Sequence, residues 1–244
     1  MLRPTSTSVL AAPGAASLSL LGAFELAVDG VPVQLPAQAE ALVAFLALQG
    51  RELHRAYVSG RLWPDLSQEH AFGCLRSALW RMGRMGLSGV VTSSATRVGL
   101  QADVPVDARE VETLADDVLH GTASPAPPAL DRLVHTRELL PDWYDDWVEQ
   151  ERERLRLLRL LALDAAGERL LEERRYADAS RAALAALGAD TLRESAHRLL
   201  IRAQLGQGNV AEALRQFGLL RDGLRAELGL EPSEQTKALV RGVG

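Results

Sequence analysis

The sequence predicts two folds in one chain, an α+β first half and an all-α second half. Three observations lead there. Short alternating or β-branched runs bracket three helix-like segments within the first 105 residues, nearly everything from residue 107 onward carries helical spacing, and the charge changes sign between the halves. Residues 1–105 hold 8 basic and 7 acidic residues, a balance of +1, whereas 106–244 hold 19 basic and 25 acidic, a balance of -6. At 244 residues, 47% hydrophobic and 24% charged, the chain has the composition of globular proteins and not of disordered or fibrous ones. No window is long and apolar enough for a membrane span.

The elements follow in order. Residues 1–16 are rich in Ser, Thr, Ala and Pro, with a lone basic residue, Arg3, and an apolar run broken by Pro13 and Gly14. They read as a disordered tail and not as a secretion signal. From Ser17 to Leu35 loose alternation, with Asp29-Gly30 between two short runs, predicts a hairpin or small meander. Leu42, Val43, Phe45, Leu46 and Leu48 recur at helical spacing and Gly50 ends that helix. A second helix runs from Arg55 to Trp63 and stops at Pro64. Ser67 is placed to cap a third, through Met85, which Gly86 closes. The run VVTSSATRVGL then has β-branched residues on both sides of a polar turn at Ser93–Thr96, and predicts a final hairpin.

In the second half a repeat is countable. Tyr176-Ala177-Asp178-Ala179 and Val210-Ala211-Glu212-Ala213 each open a helical run at an offset of 34 residues, where Leu171 also matches Leu205 and Ala183 matches Phe217. That period is the one of tetratricopeptide helix pairs, and two to three repeats fit a compact helical domain. The predicted organisation is therefore a tail at 1–16, a first domain at 17–105 and a tetratricopeptide-like second domain at 107–241.

The third helix carries the chemistry. Ala71, Leu75, Ala78, Leu79 and Met82 form one stripe facing a core, which turns Arg76, Ser77, Trp80, Arg81 and Arg84 to the opposite face. Three guanidiniums and a hydroxyl on about two and a half turns suit a major groove, because arginine presents a fork to guanine or phosphate. Trp80 is placed to stack on a sugar or to anchor a neighbouring element. Seven arginines against three carboxylates in residues 51–97 make this stretch locally +4. A preceding short helix and a following hairpin with Arg97 at its tip complete the plan of a winged helix-turn-helix. An arginine-rich face is otherwise a solvated one, and the combination is what points to double-stranded DNA.

Other residues point away from catalysis. Lys237, the single lysine, follows Glu234-Gln235-Thr236 and no glycine loop, which excludes a P-loop. The five histidines show no metal-ligand spacing, and no nucleophile arrangement emerges, so neither a cofactor nor an enzyme is expected. Cys74 reads as a buried thiol in a reducing, cytoplasmic setting. In LLPDWYDDWVEQERERLR the carboxylates read as the acidic first turn of a helix, with Trp143, Tyr144 and Trp147 as packing anchors, and the alternating charges from Glu151 to Arg159 as an exposed helix face. His197 reads as a packed or surface side chain and not as a ligand.

From Ser17 to Val240 the chain resembles the Streptomyces antibiotic regulatory proteins. The first half resembles their OmpR-like winged helix in LLGAFEL, RLWPD and AFGCLRSALWRMGR; the second resembles their bacterial transcriptional activator domain in LLPDWYDDWVEQERERLRLLRLLALD, RESAHRLLIRAQLGQGNVAEALRQF and ELGLEPSEQT. The resemblance implies a transcriptional activator of the short kind, binding direct repeats near a promoter as a homodimer and recruiting RNA polymerase. It implies groove-facing roles for Arg76, Ser77, Arg81 and Arg84, a wing role for Arg97, and a polymerase-facing role for the loop Asp65–Gln68. Gly83 departs from the family pattern, where a basic or polar residue is common; it removes a possible phosphate contact. Two rival functions stay open on the residues alone, a helical-repeat adaptor for other proteins and a ligand-sensing repressor with a small molecule in the helical half.

Overall fold

The computed structural model describes residues 15–125 and 127–242. The chain divides into two compact units, the first made of residues up to Arg109 together with Leu140–Asp142, the second of Glu110–Leu139 and the rest from Trp143. The expected tail at 1–16 lies outside the described residues except for its last two, and Ala16 already begins a strand.

In the first unit, β1 (Ala16–Ser19), β2 (Glu25–Val28) and β3 (Val31–Val33) form an antiparallel meander in that order. The turn is dictated by its two residues. Val28 pairs with Val31, so Asp29 and Gly30 alone make the connection, and both take positive φ (52° and 77°) as a type I′ turn demands. Asp29 Oδ1 also accepts from the Ala15 N–H at 3.0 Å. Leu18, Leu20 and Leu26 point inward and are buried.

Three helices follow: α1 (Ala37–Gln49), α2 (Arg55–Leu62) and α3 (Gln68–Arg84). The first is apolar nearly all round, with Leu42 to Ala47 all buried, because both α3 and the strands behind it pack against it. Gly50, in the left-handed region (φ 66°), donates its N–H to Leu46 O and ends the helix as expected.

The last sheet differs from the expected hairpin. Strands β5 (Val91–Ser93) and β6 (Arg97–Leu100) pair as anticipated, but β4 (Leu53–His54) joins the free edge of β6, giving the order β4-β6-β5. Two residues are too few to carry a period, and this strand exists because β6 offers it a ladder.

Asp107 closes the unit. Its carboxylate accepts from the backbone N–H of Leu20 (2.8 Å), Leu21 (3.2 Å) and Ala108 (2.7 Å), and Leu18 N donates to Pro105 O at 3.0 Å. Arg109 donates to the carbonyls of Leu46 and Ala47 in the last turn of α1, joining Gly50 N–H on Leu46 O.

The second unit is helical: α4 (Asp107–His120, from Glu110 on), α5 (Pro127–Val134), α6 (Asp146–Glu172), α7 (Tyr176–Ala189), α8 (Glu194–Gly206), α9 (Val210–Leu228) and α10 (Glu234–Val240). Helices α6 to α9 each pack on the next. The expected offset of 34 residues is visible as helix starts at Tyr176 and Val210, with Ala179 and Ala213 at the same place in each helix and both fully buried. Small side chains there let neighbouring helices approach.

The Pro-rich stretch at 121–131, which the sequence reads as an interruption of the helices, holds a helix of its own. Its Pro127-Pro128 opens α5, where the missing N–H groups cost nothing, and Leu130 and Leu133 of that helix are buried.

Two expectations about α6 change. Arg154 and Arg156 make the predicted ion pairs with Glu151 and Glu153. Arg152 and Arg159, however, turn inward: Arg152 donates to the carbonyls of Leu139 (2.9 Å) and Trp143 (3.0 Å), and Arg159 to those of Leu133 (2.7 Å) and Val134 (3.0 Å). The carbonyls left open at the end of α5 and in the following loop attract them more than water does. Trp147 is a buried anchor, edge-on to Trp143 at 6.2 Å, but Tyr144 is 83% exposed and anchors nothing. His197 is buried, its Nε2 donating to Thr191 O (2.9 Å) and its Nδ1 accepting from Gln216 Nε2 (2.7 Å).

Candidate nucleic-acid interface

The third helix is built for two faces. Ser67 caps it, its Oγ accepting from His70 N at 3.4 Å, and Glu69 lies in the first turn where the helix dipole favours a carboxylate. Ala71, Leu75, Ala78 and Met82 are buried, with Leu79 half-buried beside them. The 3.6-residue period then leaves Arg76, Ser77, Trp80, Arg81 and Arg84 all exposed along one side. Among the described residues no carboxylate pairs with Arg76, Arg81 or Arg84, so their charge is available to an outside anion. Trp80 is 65% exposed and carries the Arg84 guanidinium 5.7 Å from its ring centre. The indole thus supports the last arginine of the face and anchors no other element.

A shallow groove of about 840 Å³ runs beside this face, and Gln38, Leu66, His70, Arg76, Trp80 and Arg81 line it. Cys74 also lines it and is half-buried, not the fully buried thiol expected, because it sits at the border between the two faces.

Arg97 is exposed but does not stand at the apex of the wing. It is the first residue of β6, paired with His54, and its Nη1 donates to Glu52 O at 3.3 Å. The apex is the turn after Ser94, where Ser94 Oγ accepts from the N–H groups of Thr96 and Arg97. A second arginine reaches that turn: Arg55 Nη1 donates to Ser94 O (3.0 Å) and sits 3.4 Å from Ser93 Oγ. Sequence reasoning missed Arg55 because its neighbourhood depends on β4, although an arginine directly after a strand that pairs with the wing is the signal to look for. Arg76, Ser77, Trp80, Arg81 and Arg84 therefore share one surface, and Arg97 and Arg55 both bond to the turn of the wing.

The profile of the bacterial transcriptional activator domain matches residues 109–243, more than half of the chain. The chain belongs to this family. Among curated relatives, the regulatory protein AfsR of Streptomyces coelicolor is 27% identical over 235 residues, which is 90% of this chain and 23% of AfsR. Among solved structures, Mycobacterium tuberculosis EmbR, captured in complex with a low-affinity phosphopeptide, superposes with a TM-score of 0.76 at 20% identity, covering 94% of this chain and 65% of that one. The chain thus spans less than a quarter of AfsR and just under two thirds of the EmbR chain. The fold, mostly helical with small antiparallel sheets, is shared with EmbR across nearly all of this chain, and is consistent with an N-terminal winged helix-turn-helix followed by a helical domain.

These comparisons bear out the resemblance to the Streptomyces antibiotic regulatory proteins. Two positions of the family pattern take on geometry here. The loop Asp65–Gln68 is exposed throughout, with Leu66 at its centre, and Gly83 faces open space, with nothing within 4 Å of where a Cβ would sit. Among the described residues no group of three or more His, Cys, Asp or Glu is arranged to hold a metal, and no helix is long and apolar enough to cross a membrane.

Proposed function

We propose that this family member is a sequence-specific DNA-binding transcriptional activator. Residues 17–105 form an OmpR-like winged helix-turn-helix and residues 107–241 a tetratricopeptide-like activator domain. Helix α3 enters the major groove, with Arg76 and Arg81 reading base edges and Ser77 and Arg84 holding phosphates, while Trp80 supports Arg84 from below. Arg97 and Arg55 bring the wing to the neighbouring backbone. The observation that carries this reading is the exposed arginine face of α3, which meets no carboxylate among the described residues and is set on a helix whose other face is locked into a core. The loop Asp65–Gln68 faces RNA polymerase, and two chains sit side by side on a direct repeat.

Selection of duplexes from a random pool by the purified protein tests it. The expected winner is a direct repeat with half-sites about 10 to 11 base pairs apart, one helical turn, bound with an affinity that falls steeply as salt rises. No enrichment at low salt would remove DNA as the partner and leave the helical half as an adaptor for other proteins.

A further inference from the structure

The second unit holds a concavity of about 800 Å³ that the DNA-binding reading does not use. Its walls come from the loop after α5, from the N-terminal half of α6 and from the end of α7. Its volume lies within the roughly 300 to 1,000 Å³ of small-molecule sites. Leu155, buried, and Leu184, 57% exposed, give it an apolar side with Ala185 between.

The charges on the other side do not cancel. Five arginines and three glutamates line the site, and each glutamate is already engaged: Glu138 and Glu149 with Arg152, Glu153 with Arg156. Arg181 pairs with Asp131 and Asp178 from outside the lining. Two cations remain. Arg137 is exposed and, among the described residues, pairs with no carboxylate. Arg159 is half-buried and spends Nε and Nη2 on the carbonyls of Leu133 and Val134, while its Nη1 meets no partner among the described residues. Burial pushes the Arg159 guanidinium below its ordinary range, as expected of a charge kept in apolar surroundings without a counter-ion. A half-buried guanidinium with an open donor, beside an apolar wall, matches a ligand that is anionic at one end and apolar at the other.

We propose that this concavity binds an amphipathic organic anion, a carboxylate or sulfonate on an apolar ring or chain, with Arg159 and Arg137 holding the anionic group and Leu155, Leu184 and Ala185 the apolar body. Peptides and second copies of the chain are disfavoured by the small-molecule size of the site.

The probe is 8-anilinonaphthalene-1-sulfonate, titrated into the full chain and followed by its fluorescence, with N-phenyl-1-naphthylamine as the uncharged analogue. The expected result is saturable uptake of one probe per chain, weakened about tenfold or more by Leu184→Glu and about threefold or more by Arg137→Gln, with the uncharged analogue about tenfold weaker on the wild type. Both substituted residues are exposed, so neither change threatens folding, unlike replacement of Arg159. Leu219→Glu, at an exposed leucine of α9 away from the site, leaves uptake unchanged. Absence of saturable uptake, affinity unchanged in either site variant, an uncharged analogue as tight as the sulfonate, or loss through Leu219→Glu would each overturn the proposal.

Discussion

The close approach of α6 to α8 yields a prediction whose sign depends on the neighbour. Gly167 lies in the C-terminal part of α6, buried, and a Cβ there would stand 2.8 Å from Cδ1 and 3.2 Å from Cδ2 of Leu199 on α8. On a free helix, Gly→Ala stabilises by about 1 kcal/mol. Here two carbons must separate to about 3.5 to 4.0 Å, so Leu199 has to retreat by roughly 1 Å. Leu199 is 1% exposed and has no empty side to retreat into. Over-packing of this kind costs about 1 to 3 kcal/mol, which leaves Gly167→Ala destabilising by about 1 kcal/mol after the helix gain. Leu199→Ala alone costs about 2 to 5 kcal/mol, but in that background the clash is gone and Gly167→Ala stabilises by about 1 kcal/mol. The coupling is therefore about 2 kcal/mol, within the range for residues in contact. Denaturant unfolding read by tryptophan emission in a Trp63→Phe, Trp80→Phe background reports the second unit through Trp143 and Trp147. If Gly167→Ala raises the midpoint equally in both backgrounds, the helix packing described here is wrong.

Three further outcomes follow from side chains. Asp107→Ala, which removes a carboxylate accepting three backbone N–H groups, destabilises the first unit by on the order of 2 to 3 kcal/mol; Asp107→Asn recovers part of this, as thermal unfolding should reveal. Burial, the largest influence, holds His197 below its ordinary value of 6.5, so the folded chain keeps it neutral while the unfolded chain still takes up a proton. Stability in the second unit thus rises with pH between those two values and is lost as pH falls below about 6.5; His197→Leu should flatten that slope in unfolding midpoints measured from pH 7 to 5, and an unchanged slope would contradict the assignment. Gly83→Lys, into open space, adds a cation beside the α3 face, tightening duplex binding and steepening the salt dependence by about one unit.

Much of the fold was legible because local signals agreed with tertiary needs. Asp29-Gly30, Gly50 and Ser67 punctuated the elements where the structure puts them, since a type I′ turn, a left-handed helix end and an N-cap are satisfied by the residues themselves. The shared face of Arg76, Ser77, Trp80, Arg81 and Arg84 was legible for the same reason, helical period being a local property. What failed was set at a distance. Strand β4 exists through the edge of β6, and with it came the turn of Arg97 toward Glu52 O and the contact of Arg55 with the wing. The charge alternation from Glu151 to Arg159 read as a solvated face, yet open carbonyls at the end of α5 and in the loop draw Arg152 and Arg159 inward. No pattern in a single helix could announce a partner contributed by another.

The arginine face of α3 is the centre of the account, and one titration tests it most directly. Anisotropy of the selected duplex is measured against wild type, Arg81→Ala and Arg215→Ala across a salt series, Arg215 being an exposed arginine of α9 paired with Glu212. Arg81→Ala should lose about 1 to 3 kcal/mol and relax preference at one base pair, while Arg215→Ala binds as wild type does. Equal binding by all three proteins would contradict recognition through α3.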